Sequence, residues 1–155
     1  MICPPIDFNQ RNDFTTEPIV VRTPPLHKYL RVLVVDDEYL RNKSNAKMIE
    51  SLGHKVEVSL SGIEALRIAA VNRPDVILLN INLQDIDQCN VARHLRADYP
   101  NPSPLIIGFS PHPNDSIRQQ SVRDGIDMVL KSPLNRELTE TILLMEVKKL
   151  TKAGK

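Results

Sequence analysis

Alternation is the feature that most constrains this chain. From Tyr29 onward, short apolar runs take turns with amphipathic stretches of helical period. LRVLVV (30–35) is β-branched and free of charge after Arg31, as a strand buried on both faces should be. DVILLN (75–80) and PLIIGFS (104–110) have the same texture, and KVEVS (55–59) and DMVLK (127–131) read as shorter strands. A first helix is expected from about Glu38 to Leu52, closing on Gly53, a natural left-handed stop. A second opens on the capping box Ser61 to Glu64. Asp87 to Ala97, Asn114 to Asp124 and Leu134 to about Leu150 complete the set, the fourth ending at Gly125. Strands and helices in strict alternation mean parallel strands joined by right-handed crossovers, with helices on both faces of the sheet. The predicted fold is therefore α/β, a doubly wound five-stranded parallel sheet of the (βα)5 kind. In such sheets the functional crevice lies beyond the carboxyl ends of the strands. The residues found there are Asp36, Asp37, Asn80, Asn82, Ser110, Pro111 and Ser132.

Proline marks where the domain starts. Pro4, Pro5, Pro18, Pro24 and Pro25 crowd the first 25 residues, and each fixes φ and removes a donor. Residues 1–28 thus read as a proline-rich arm, extended or disordered, or laid on the domain through Ile19, Val20 and Val21. Residues 29–150 form the domain and 151–155 a tail, which suits a length of 155. With 20 Lys+Arg against 19 Asp+Glu, the chain is no strongly basic nucleic-acid binder. Cys3 and Cys89 lack metal-ligand spacing, and His27, His54, His94 and His112 are expected at the surface or partly packed. No stretch nears the roughly 20 apolar residues of a membrane span, and the start lacks signal-peptide pattern, so a cytoplasmic protein is expected. Arg41, Lys43 and Lys47 lie on the first helix, as a solvated face or a docking surface.

VLVVDDE, DVILLNINL, SGIEAL, PLIIGFS and VLKSPLNREL follow one another in the order and spacing of a response regulator receiver domain. Residues 30–150 resemble that CheY-like, flavodoxin-like family. A nucleotide-binding sheet would need a Gly-rich loop where this chain has DDEYL. The resemblance implies an acidic pair for Mg²⁺ at Asp36 and Asp37, joined by the Asn82 carbonyl; the site is expected to be weak or vestigial, with no cofactor required. The alternative is that Asp-Asp only ends a strand and caps a helix.

The same resemblance puts Asn80 at the phosphoacceptor position, where the family has aspartate. A carboxamide carries no charge and its lone pairs are delocalised, so it is a poor nucleophile toward phosphorus. Ser110 keeps the switch hydroxyl, but Pro111 has no N–H for a phosphoryl oxygen. Ser132 stands at the lysine position before Pro133, and Lys131, one place earlier, should face the other way. Val129 replaces the aromatic switch, and Gln84 the usual loop proline.

These joint departures imply a phosphorylation-independent pseudo-receiver: a non-enzymatic interaction module in two-component or phosphorelay signalling. Its partner would be a histidine kinase, a phosphotransfer protein, an effector or a second copy. Contact is expected on the fourth helix, fifth strand and fifth helix, at Ile117, Arg118, Ser121, Val122, Val129, Thr141 and Leu144. The alternatives are phosphoacceptance at Asp85 or Asp87, an Asp→Asn variant of an active receiver, or a Mg²⁺-dependent hydrolase using Asp36, for which a second domain is missing. Exchanging one of three clustered carboxylates for Asn relieves about 1–4 kcal/mol per close pair at an effective dielectric near 20.

Overall fold

The computed structural model describes residues 29–83, 88–100 and 103–153, with the side chains of 88–90 excepted. The expected arm, His27, Gln84, Asp85, Asp87 and the Cys89 side chain lie outside the described residues. Each apolar run becomes a strand and each amphipathic stretch a helix: β1 (Arg31–Val35), α1 (Tyr39–Ser51), β2 (Lys55–Ser59), α2 (Gly62–Asn72), β3 (Val76–Asn80), α3 (Gln88–Asp98), β4 (Leu105–Ser110), α4 (Asp115–Arg123), β5 (Met128–Lys131) and α5 (Arg136–Lys152). The strands form one parallel sheet in the order β2-β1-β3-β4-β5. The chain winds outward from β1 to β2, then returns to the far side of β1 for β3. The winding reverses between β1 and β3, and that is where a crevice opens in such a sheet.

Burial explains the texture of the runs. All of β3 is buried, so its sequence shows no alternation, whereas the edge strand β2 keeps only Ser59 buried. Leu33, Val35, Ile77, Leu79 and Ile106 face one core with Ala65 and Ala69 of α2 and Val91 and Leu95 of α3. Val32, Val34, Leu78, Ile107 and Phe109 face the other, with Ile49 of α1 and Leu143 of α5. At roughly 25 cal/mol per Å² of apolar surface, these two cores are the main favourable contribution to folding.

Helix ends follow local chemistry. Glu38, Ser61, Asn114 and Asn135 cap α1, α2, α4 and α5, and Gly53 and Gly125 take positive φ of 97° and 99°. The capping box of α2 closes differently from the expectation: Ser61 Oγ accepts the Glu64 N–H, but Glu64 Oε1 reaches the N–H of Leu60 (3.2 Å) rather than that of Ser61. α2 ends on Arg73, which holds φ 47° without being glycine. Its carbonyl accepts from Arg31 Nη2 (2.9 Å), and its guanidinium lies 4.6 Å from the Tyr99 ring centroid, so tertiary contacts supply what glycine would otherwise provide.

His54 differs from its expected place. It is buried, and its Nδ1 accepts the Leu30 N–H at 3.0 Å, tying the entry of β1 to that of β2. Burial lowers its pKa from the ordinary 6.5. Across the window below 6.5 the folded chain binds fewer protons at this site than the unfolded one. The His54 contribution is therefore complete above pH 6.5, declines as pH falls through the lower folded pKa, and levels off beneath it. Urea midpoints measured from pH 7.5 to 5 should show that decline, and His54→Asn, whose amide oxygen can take the Leu30 N–H, should flatten it. An unchanged slope in the variant would place the titration elsewhere.

Candidate functional site

Adjacent parallel strands bring the two central residues together. Val35 pairs with Leu79, so the next residues, Asp36 and Asn80, lie side by side at the carboxyl edge. Asp36 is fully buried. Its N–H donates to the Ser59 carbonyl (3.0 Å), and its own carbonyl and that of Ser59 both accept from Asn42 Nδ2 (2.9 and 2.8 Å). Its position is thus fixed by β1, β2 and α1 at once.

A buried carboxylate is tolerated only when paired and hydrogen-bonded. Here Oδ1 accepts from the Glu38 N–H (3.0 Å), Asn80 Nδ2 (3.0 Å) and Arg41 Nη2 (2.8 Å), while Oδ2 accepts from Arg41 Nε (2.5 Å). The guanidinium grips both oxygens as a planar fork, the arrangement in which arginine binds carboxylates best. Glu38 sets this up: as the cap of α1 its Oε1 accepts the Arg41 N–H (2.7 Å), which places Arg41 in the first turn, directly over Asp36. The Arg41 pKa is raised, chiefly by its hydrogen bonding to Asp36, against an opposing effect of burial. Arg41, read in the sequence as part of a solvated or docking face, turns inward instead. The sequence carries no signal for this turn, because helical period does not fix which way a long first-turn side chain extends.

Asn80 is buried and both ends of its amide are engaged. Nδ2 donates to Asp36, and Oδ1 accepts the Asn82 N–H at 2.8 Å. An aspartate in this rotamer would set a carboxylate oxygen about where that Nδ2 lies, 3.0 Å from Asp36 Oδ1. Asp37, Glu38, Arg41, Asn80, Asn82, Phe109, Pro111 and Ser132 line a cleft of about 290 Å³. Asp37 is exposed. Ser110 is buried, its Oγ accepts the His112 N–H (3.4 Å), and its carbonyl accepts the Ser132 N–H (2.8 Å). Lys131 pairs in register with Ser110 and is exposed, while Ser132 faces the cleft.

The donor set in this arrangement does not fit a Mg²⁺ ion led by Asp36 and Asp37. Mg²⁺ needs oxygen ligands at about 2.0–2.1 Å in a near-octahedral shell. Both Asp36 oxygens already face a guanidinium, and Asn80 turns its NH₂ rather than its oxygen toward Asp36. Among the described residues there is no group of three or more His, Cys, Asp or Glu side chains placed to hold a metal.

The expected interface divides by burial. Val122 (61% exposed), Leu144 (51%) and Thr141 are open to solvent. Ser121 and Val129 are buried: Val129 belongs to the core cluster that includes Val91 and Leu95, and Ile117 rests against the same cluster. Arg118 is exposed, but its Nη1 donates to the Val129 carbonyl at 2.5 Å, so its charge is anchored to β5.

Comparison with known proteins agrees with this architecture. The response regulator receiver domain family matches residues 32–143. "Response regulator MprA" of Mycobacterium sp. (strain KMS) is 37% identical over 68 residues, 44% of this chain and 30% of that protein. "Sensor histidine kinase RcsC" of Escherichia coli K12 is 22% identical over 127 residues, 80% of this chain and 13% of that protein. The chain therefore spans less than a third of either relative. The crystal structure of a CheY-like receiver domain protein from Methanospirillum hungatei JF-1 superposes with a TM-score of 0.71 at 20% identity, covering 79% of this chain and 97% of that one.

Removing the fork tests the site's contribution to stability. Arg41→Ala should lose about 1–3 kcal/mol in chemical denaturation, a range lowered because Arg41 is 39% exposed and because two neutral donors stay on Asp36. Lys47→Ala, on an exposed position of the same helix, should change stability by less than about 0.5 kcal/mol. Equal losses for the two would mean that the pair adds nothing.

Proposed function

This chain belongs to the response regulator receiver domain family, and on that premise we propose that it serves two-component signalling as a phosphorylation-independent, non-enzymatic interaction module. The observation that carries the proposal is the Asn80 amide, held between Asp36 and the Asn82 N–H at the end of the central strand β3. A phosphoacceptor must present a charged oxygen with a free lone pair to phosphorus. Asn80 offers a neutral oxygen already accepting a hydrogen bond, and no neighbouring base can turn a carboxamide into a carboxylate. The surroundings point the same way. Pro111 lines the cleft without an N–H, Ser132 takes the place where a lysine would offset phosphoryl charge, and Lys131 is on the outside.

Partner binding then falls to surface chemistry. The exposed part of the α4–β5–α5 face, with Val122, Thr141 and Leu144 around the anchored Arg118, is the proposed meeting place for a histidine kinase, a phosphotransfer protein, an effector or a second copy. Among the described residues no helix is long and apolar enough to cross a membrane, and the proposed setting is the cytoplasm.

Incubation with Mg²⁺ and a small acyl phosphate, followed by intact-mass measurement, tests the central claim. No phosphoryl mass should be gained under conditions where an active receiver is labelled, and a label mapped to Asp85, Asp87 or any other residue would overturn the proposal. For the interface, Val122→Asp combined with Leu144→Arg should weaken complexes recovered from the native cell at least about tenfold. Complexes left intact by that pair would move the interface off this face.

A further inference from the structure

We infer that Arg41 is the resident cation of this site: it takes the place of a divalent ion, and metal reaches Asp36 only when Arg41 is removed. The inference deepens the reading above and rests on it, because a site without an acceptor has no phosphoryl group to share with a metal.

Three observations carry it. Asp36 has no solvent exposure, and both of its oxygens lie within 2.8 Å of an Arg41 nitrogen. An incoming Mg²⁺ would have to shed water, displace a fork that satisfies two directions at once, and sit beside a guanidinium that never deprotonates. Arg41 is also positioned by the backbone and not only by charge, since the Glu38 carboxylate that caps α1 holds the Arg41 N–H at 2.7 Å. Moving the guanidinium away therefore means choosing another side-chain rotamer over a fixed first turn. Finally, Asn80 is matched to Arg41. Asp36 and Arg41 neutralise each other, and a neutral donor beside them completes Oδ1 without adding charge.

It follows that neither change can be reversed alone. Asn80→Asp in the presence of Arg41 gives two carboxylates sharing one guanidinium, which leaves that cation even more firmly held. Arg41→Gln alone frees Asp36 but leaves Asn80 turning its NH₂ toward the vacated space. Only the double variant presents two carboxylate groups and no competing cation.

The experiment uses the full chain and its Arg41→Gln, Asn80→Asp and double variants, each titrated with Mg²⁺ by calorimetry and melted in millimolar MgCl₂ and in chelator. The wild type and Asn80→Asp should show no saturable Mg²⁺ binding and no shift in Tm. The double variant should bind at least about tenfold more tightly than Asn80→Asp and melt higher in Mg²⁺. Saturable binding by the wild type, or a double variant no better than Asn80→Asp, would overturn the inference. Should the double variant not fold, the wild type alone decides. The Arg41 side-chain Nε–H resonance should stay sharp and unshifted as paramagnetic Mn²⁺ is added, and its selective broadening would overturn the inference. Metal binding by a wild type that takes up no phosphoryl group would sink the Arg41 assignment while leaving the proposed function standing. Phosphoryl uptake without metal binding would do the reverse.

Discussion

A carboxylate with no access to water must find its counter-charge where it lies, and much of this structure is arranged around that requirement at Asp36. Its backbone is bound to β2 through Ser59 and to α1 through Asn42, and its side chain to β3 through Asn80 and to α1 through Arg41. One residue thereby ties together three strand ends and the start of a helix. The strand order makes this possible: only the neighbours β1 and β3, between which the winding reverses, can present Asp36 and Asn80 at hydrogen-bonding distance.

The backbone of the fold was legible because its determinants are local or periodic. Five apolar runs, two C-terminal glycines and side-chain caps place every element to within two residues or so. What escaped depends on contacts between distant residues. Arg73 has no sequence signature for φ 47°, because its conformation is held by Arg31 and Tyr99. His54 is buried because its ring accepts a backbone N–H 24 residues away, and nothing in its neighbourhood announces that. At the site, the residue types at Asn80, Ser110, Pro111 and Ser132 could be read directly, since their placement follows from strand ends. The direction taken by Arg41 could not. Helical periodicity sorts apolar from polar positions, but it does not say whether a long cation in the first turn extends into solvent or folds back on the preceding strand.

Arginine in fact carries much of the tertiary polar structure, which the near-neutral charge of the chain conceals. Arg96 donates to the Gly125 carbonyl (2.9 Å), the Pro104 carbonyl (2.6 Å) and Asp127 (2.7 Å), Arg93 to the buried Asp124 (2.7 Å), and Arg118 to the Val129 carbonyl. These bonds secure β5, a four-residue edge strand with little ladder of its own, against α3 and α4. Hydrogen bonds from charged donors contribute roughly 1.5–3 kcal/mol each when shielded, and less where the side chain is open to water, as for Arg93. Arg118 is anchored to the β5 backbone, and Val122, Leu144 and Met145 are left outward.

The same inward use of arginine fits the amide at Asn80. A site with three clustered carboxylates is held together by an external cation, so its conformation depends on what the solution supplies. Exchanging one carboxylate for Asn80 and bringing in Arg41 leaves a self-neutralised group whose donors and acceptors are matched within the chain. The two features are complementary. An amide without the guanidinium would leave Asp36 as an unpaired buried charge, and a guanidinium without the amide would leave a surplus carboxylate competing for it. A receiver domain completed in this way has one stable arrangement at its carboxyl edge. On the proposed reading, any signal it conveys comes from which partner occupies its surface and not from what is bound at Asn80.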